Sequence, residues 1–141
     1  MSGMRHDNRG AANGEATMGF TQRLAAWMEP RWVRHAREDF DRNPAEGWIG
    51  IDAWTGAIFT GALKDQLPPK HRLRSGRWRA IGRVDGLDDV LFMARDGRVA
   101  WVHMTWQKET DARWPESQIF NSLNEARPGL KDYVAARYPD E

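Results

Sequence analysis

The segment that most constrains this chain is Trp78–Trp106, where the dipeptide Asp96-Gly97 separates two short apolar runs, Leu91-Phe92-Met93-Ala94 and Val99-Ala100-Trp101-Val102. Asp-Gly supplies the positive φ angles that a two-residue hairpin turn needs. Upstream, Trp78-Arg79-Ala80-Ile81-Gly82-Arg83-Val84 alternates large and charged residues, and Asp85-Gly86-Leu87-Asp88 has the composition of a turn. The pattern predicts a three-stranded antiparallel meander over about residues 78–106. Alternation on its third strand sends Val99, Trp101, His103 and Thr105 to one face and Ala100, Val102, Met104 and Trp106 to the other. Both sets are largely apolar, so this strand is expected to be central and covered on both sides.

Helical periodicity frames the meander. From Thr21 onward, Leu24, Met28, Trp32, Ala36 and Phe40 recur every fourth residue, with Trp27 and Val33 widening the stripe, which predicts an amphipathic helix. Pro30 either kinks that helix or opens a second one, and Asn43-Pro44-Ala45-Glu46-Gly47 ends it. Trp48–Trp54 reads as a short strand or a buried loop, and Gly56–Gly61 is left open between states. Leu67-Pro68-Pro69 is a rigid connector. After a polar loop, Gln107–Pro115, Ser117 is placed to cap a helix carrying Ile119, Phe120 and Leu123, and Pro128 to open another carrying Leu130, Tyr133, Val134 and Arg137. The expected class is α+β: a central antiparallel meander, with an N-terminal amphipathic helix and C-terminal helices on one face or at its edges. Residues 1–19, Gly-, Asn- and Ala-rich without periodicity, read as a disordered leader, and residues 20–141 as one domain.

Composition removes several function classes. The chain has no Cys, which excludes disulfides, thiolate metal sites and a cysteine nucleophile, and fits a reducing cytoplasm. Its apolar runs fall far short of the ~20 residues that span a bilayer, and the polar N-terminus lacks the apolar core of a signal peptide. A cytoplasmic protein without a membrane segment is expected. No His-Glu-x-x-His, Walker loop, Gly-x-Gly-x-x-Gly or Gly-x-Ser-x-Gly occurs, and His6, His35, His71 and His103 show no metal-ligand spacing. No metal and no cofactor are expected.

Two groups of residues remain as candidate chemistry. His103, beside Trp101 and Thr105, reads either as a neutral imidazole hydrogen-bonded beneath the helices or as the general base of a small enzyme working with a turn aspartate. Asp85, Asp88, Asp89 and Asp96 read as solvated turn residues before they read as a carboxylate cluster. The other group is basic: Lys70, Arg72, Arg74, Arg77, Arg79 and Arg83 occur with no acidic residue between Asp65 and Asp85, and Trp78 lies among them. Such a strip can meet phosphates and stack on a base, but a net charge of +1 argues against nucleic acid as the partner. Arg and Trp also anchor protein interfaces. Of the eight Trp, most are expected in the core, with Trp48 and Trp114 exposed. The expected partner-binding residues are therefore Arg72, Arg74, Arg77, Trp78, Arg79 and Trp114.

Leu67-Pro68, Ile81-Gly82, the acidic turn Asp88-Asp89 before Val90-Leu91-Phe92, and Asp96-Gly97-Arg98-Val99 followed by the strand bearing His103 together resemble the central part of the SUKH (SMI1/KNR4-like) superfamily. That resemblance implies an α+β fold and, in bacteria, an immunity protein that binds and neutralises a toxin. With the arginine and tryptophan run, the sequence therefore leads to a non-catalytic protein-binding module; the alternatives are a nucleic-acid-binding module using Lys70–Arg83 and a small enzyme using His103.

Overall fold

The computed structural model describes residues 19–137. In chain order its elements are α1 (Phe20–Met28), α2 (Arg31–Arg42), β1 (Trp48–Gly50), α3 (Ala53–Gln66), β2 (Arg79–Val84), β3 (Asp89–Met93), β4 (Val99–His103), β5 (Glu116–Phe120) and α4 (Leu123–Arg137). The five strands form one antiparallel sheet in the order β1-β2-β3-β4-β5, so the fold is α+β with the predicted meander at its centre. The leader assigned to residues 1–19 lies outside the described residues, Gly19 excepted, as does His6.

The turns fall where the sequence places them, with Gly97 and Gly86 at φ of 97° and 81° and the Asp96 carboxylate accepting from the Arg98 backbone N–H at 3.1 Å. The hairpin is not the two-residue turn expected: Asp96 keeps a negative φ, and the loop closes through three residues, 95–97, with Gly97 N donating to Ala94 O and Ala94 N to Arg98 O, each at 2.9 Å. β4 is interior, paired to β3 through Val90↔Val102 and Leu91↔Trp101 and to β5 through Trp101↔Gln118. Its two faces feed two cores. Val99 and Trp101 pack with Phe40, Trp48, Ile81, Leu91, Ala126 and Leu130, under α2 and α4. Ala100, Val102 and Met104 pack with Phe59, Leu63, Leu73, Trp78, Val90 and Phe92, under α3 and the connector that follows it. Helices thus cover both faces, as the two-sided apolar pattern of β4 predicts, and are not confined to one face or the edges of the sheet.

Other departures have physical causes. Glu116–Phe120 is a strand, and Ser117 caps nothing: the outer edge of β4 would otherwise leave buried backbone N–H and C=O groups unpaired, and β5 satisfies them. The last helix starts later, with Ser122 Oγ accepting from Glu125 N at 3.1 Å. Pro128 opens no second helix and lies inside α4. Residues 48–50 join the sheet edge, and Gly56–Gly61 falls within α3, which Asp52 caps by accepting from Thr55 N at 2.7 Å. Trp48, expected at the surface, is buried, its Nε1 donating to Leu130 O at 3.1 Å and so tying α4 to β1. Pro30 separates α1 from α2. At the end of β4, the buried Gln66 side-chain oxygen accepts from Thr105 N at 2.6 Å and Trp106 N at 3.1 Å. This holds Trp106 at φ 60°, a left-handed conformation costly for a bulky residue.

Two glycines test this packing in opposite directions. A Cβ at Gly82, beside a register shift in β2, would collide with the Phe40 ring and stand 3.0 Å from Ile49 O, whereas Gly61, inside α3, has nothing within 4 Å. Gly82→Ala is expected to destabilise the fold by about 1–3 kcal/mol through overpacking, and Gly61→Ala to stabilise it by about 1 kcal/mol through helix propensity. Urea unfolding of the two variants checks both signs; equal effects would contradict the packing described.

Candidate functional site

The basic run does not form one surface. Arg72, Arg74 and Arg77 are exposed on the connector between α3 and β2, but Trp78 is only 4% exposed and cannot present an anchor to a partner. Its indole is a core residue, with the Arg98 guanidinium 5.2 Å from the ring centroid. Arg79 is half-buried on β2. Arg83 is drawn onto the Phe59 ring at 5.2 Å. Two exposed arginines also hold the connector in place: Arg72 donates to Ser117 O at 3.1 Å and Arg74 to Leu67 O at 2.9 Å. The buried His71 ring adds to this, accepting from Leu73 N at Nδ1 (3.1 Å), so that Nε2 carries the hydrogen given to Pro115 O at 2.7 Å. Trp114 is 44% exposed, as expected, on the loop after β4.

The turn aspartates do not cluster. Asp96 stays in its own hairpin with Arg98, and Asp88 accepts from Trp106 Nε1 at 2.9 Å. Asp89 behaves differently: it is fully buried at the start of β3 and accepts from Trp101 Nε1, His103 Nδ1 and Tyr133 OH, each at 3.0 Å. The carboxylate accepts, so His103 donates from Nδ1. The His103 side chain is 39% exposed at the end of the sheet, and so is not buried beneath a helix. Tyr133 and Arg137, from α4, complete the group: Arg137 donates to Tyr133 OH at 2.8 Å, and Trp101 and Tyr133 have ring centroids 4.7 Å apart. Burial raises the Tyr133 phenol above its ordinary value, with Asp89 adding to the rise and the Arg137 hydrogen bond opposing it. A cavity of about 270 Å³ lies alongside, lined among others by Trp101, Glu116, Tyr133 and Arg137, but not by His103. The sequence flagged His103 and Asp89; Tyr133 and Arg137, distant in sequence, gave no signal.

A third feature escaped sequence reasoning because it looked like core. Helix α1 buries none of its residues. Phe20, Leu24, Trp27 and Met28 are 69%, 36%, 81% and 64% exposed, and at 100° per residue they fall on one side of the helix. Gln22 and Ala25, on the opposite side, are the half-buried ones, and the helix packs against α3. The stripe that continues into α2 as Val33 and Phe40 is therefore divided at Glu29-Pro30. Its second half enters the core and its first half faces outward.

Among the described residues no group of three or more His, Asp or Glu could hold a metal ion, and no helix is long and apolar enough to cross a membrane. Comparison of the chain with protein-family models, curated proteins and solved structures finds no match.

The Asp89 cluster gives a pH and a mutational expectation. Asp89→Ala strands the buried Trp101 N–H and Tyr133 O–H donors and is expected to cost about 1–3 kcal/mol per group left unpaired, whereas Tyr133→Phe should cost roughly 1 kcal/mol. Because the folded phenol is raised, its contribution is complete below the ordinary value of 10.0 and is lost as the pH climbs through the higher folded value. Absorbance titration should show a tyrosine titrating above pH 10 that vanishes in Tyr133→Phe; a Tyr133 titrating at its ordinary value contradicts the buried hydrogen bond to Asp89.

Proposed function

We propose that this chain works by binding a partner protein, without catalysing a reaction, and that the outer face of α1 is its docking surface. The observation that carries the reading is the exposure of Phe20, Leu24, Trp27 and Met28 on one side of a helix whose other side already packs on the fold. Large apolar side chains contiguous at a surface mark interaction sites, and i, i+4, i+7 anchors are the pattern of a helix laid in a partner's groove. The flanking charge specifies the groove. Between residues 24 and 35 the exposed Arg and Lys side chains are Arg31 and Arg34, while the one acid, Glu29, is paired with Arg37 at 2.8 Å and nearly buried. An apolar groove with an acidic rim is the complement. Arg72, Arg74 and Arg77 add basic surface that steers such a partner and makes its association salt-sensitive.

The SUKH resemblance supplies the class of partner: a toxin that the chain neutralises as an immunity protein. Its support is the set of sequence segments named above.

The test is capture from the native host with the intact chain and with Leu24→Ser/Trp27→Ser, a change confined to exposed positions that should leave the fold unchanged. A stoichiometric protein is expected, whose own activity the intact chain blocks, with affinity falling at least about 30-fold in the double variant, the size of a hot-spot loss near 2 kcal/mol. Binding that survives the double substitution, self-association through α1 in light scattering, adsorption to anionic vesicles, or retention of nucleic acid in place of protein would each contradict the reading.

A further inference from the structure

A separate feature, independent of the α1 face, lies under the connector. Between α3 and residues 67–78 is a cavity of about 260 Å³. Its walls are apolar, made by Leu63, Leu67, Leu73 and the Trp78 indole, all of them buried core residues. Lys64 and Arg74, both exposed, contribute the charge, and no carboxylate takes part in the lining. Arg74 is held in place by its bond to Leu67 O, which engages Nη1 and leaves the rest of the guanidinium fork available. Within this wall Trp78 Nε1 is buried and has no hydrogen-bond partner among the described residues. Gly76, which also lines the cavity, makes room for the indole itself: a Cβ there would collide with Nε1, so the N–H is closed off against the connector and Trp78 contributes apolar wall to the cavity.

We propose that this cavity binds a small carboxylic acid with an apolar body, its hydrocarbon against Leu63, Leu67, Leu73 and the Trp78 ring and its carboxylate taken by Arg74 and Lys64. Apolar walls alone would accept any hydrophobe. Two cations and no acid in the lining select an anion, by charge-assisted hydrogen bonds that a neutral analogue cannot make.

The probes are octanoate and octanol, equal in chain length and different in charge, titrated into the full ¹⁵N-labelled chain. The readout is the Trp78 indole N–H resonance, assigned by its loss in Trp78→Phe. Octanoate is expected to move this resonance saturably, and octanol to bind at least about tenfold more weakly, as does octanoate to Arg74→Gln, each lacking a charged hydrogen bond. An unmoved Trp78 N–H, equal affinities for the two probes, or unchanged affinity in a folded Arg74→Gln would overturn the proposal. Should that variant not fold, the comparison of the two probes on the unaltered chain decides it.

Discussion

A central strand that is apolar on both faces has to be covered twice, and the rest of this architecture follows from that demand. Val99 and Trp101 on one side of β4 and Ala100, Val102 and Met104 on the other would leave a large apolar area in water if only one layer of helix were present. The chain meets the demand with segments from both ends: α2 and α4 close over the first face, and α3 with its connector over the second. Asp89 then fastens one cover, since its carboxylate reaches β4 through Trp101 and His103 and α4 through Tyr133. Gln66 fastens the other by gripping the corner at Thr105-Trp106. Both devices bury a polar group that is satisfied several times over, which is how a polar side chain can sit in a core without net cost.

With both faces closed, α1 is surplus to the core. It touches α3 through its Gln22/Ala25 side and turns its largest apolar residues outward. Indoles and thioethers in water contribute little to the stability of the free chain, so their placement is more economically understood through binding than through folding. The same reasoning separates the roles of the arginines. Those on the connector serve the fold through backbone carbonyls while leaving charge at the surface, so they tune association without forming its apolar centre.

The parts of the fold that were legible from sequence are those where local chemistry decides the outcome. Asp96-Gly97 and Asp85–Asp88 set the turns of the meander, and the period-two pattern of β4 assigned Val99 and Trp101 against Ala100 and Val102 correctly. Where tertiary pairing decides, local signals misled. Glu116–Phe120 carries the composition of a helix start but is recruited as a strand by the open edge of β4. Trp48 sits in a loop-like context yet is buried by α4, some eighty residues on in the chain. The site was less legible than the fold. Trp78 among arginines looked like an exposed anchor and is core, whereas Trp27, on a stripe that looked like core, is the most exposed large apolar residue among the described residues. A helical stripe says which residues share a side, and the bend at Pro30 decides which way that side faces.

The central claim is that the face of α1 bearing Trp27 is open in the free chain while the sheet is closed on both sides. Hydroxyl-radical footprinting read by mass spectrometry tests it directly on the isolated protein. Trp27 and Met28 should oxidise at close to the rates of the unfolded chain, and Trp48, Trp78 and Met104 far more slowly, at every protein concentration. Trp27 and Met28 protected to the same degree as Trp48 would mean that the face is already covered, and would contradict the account.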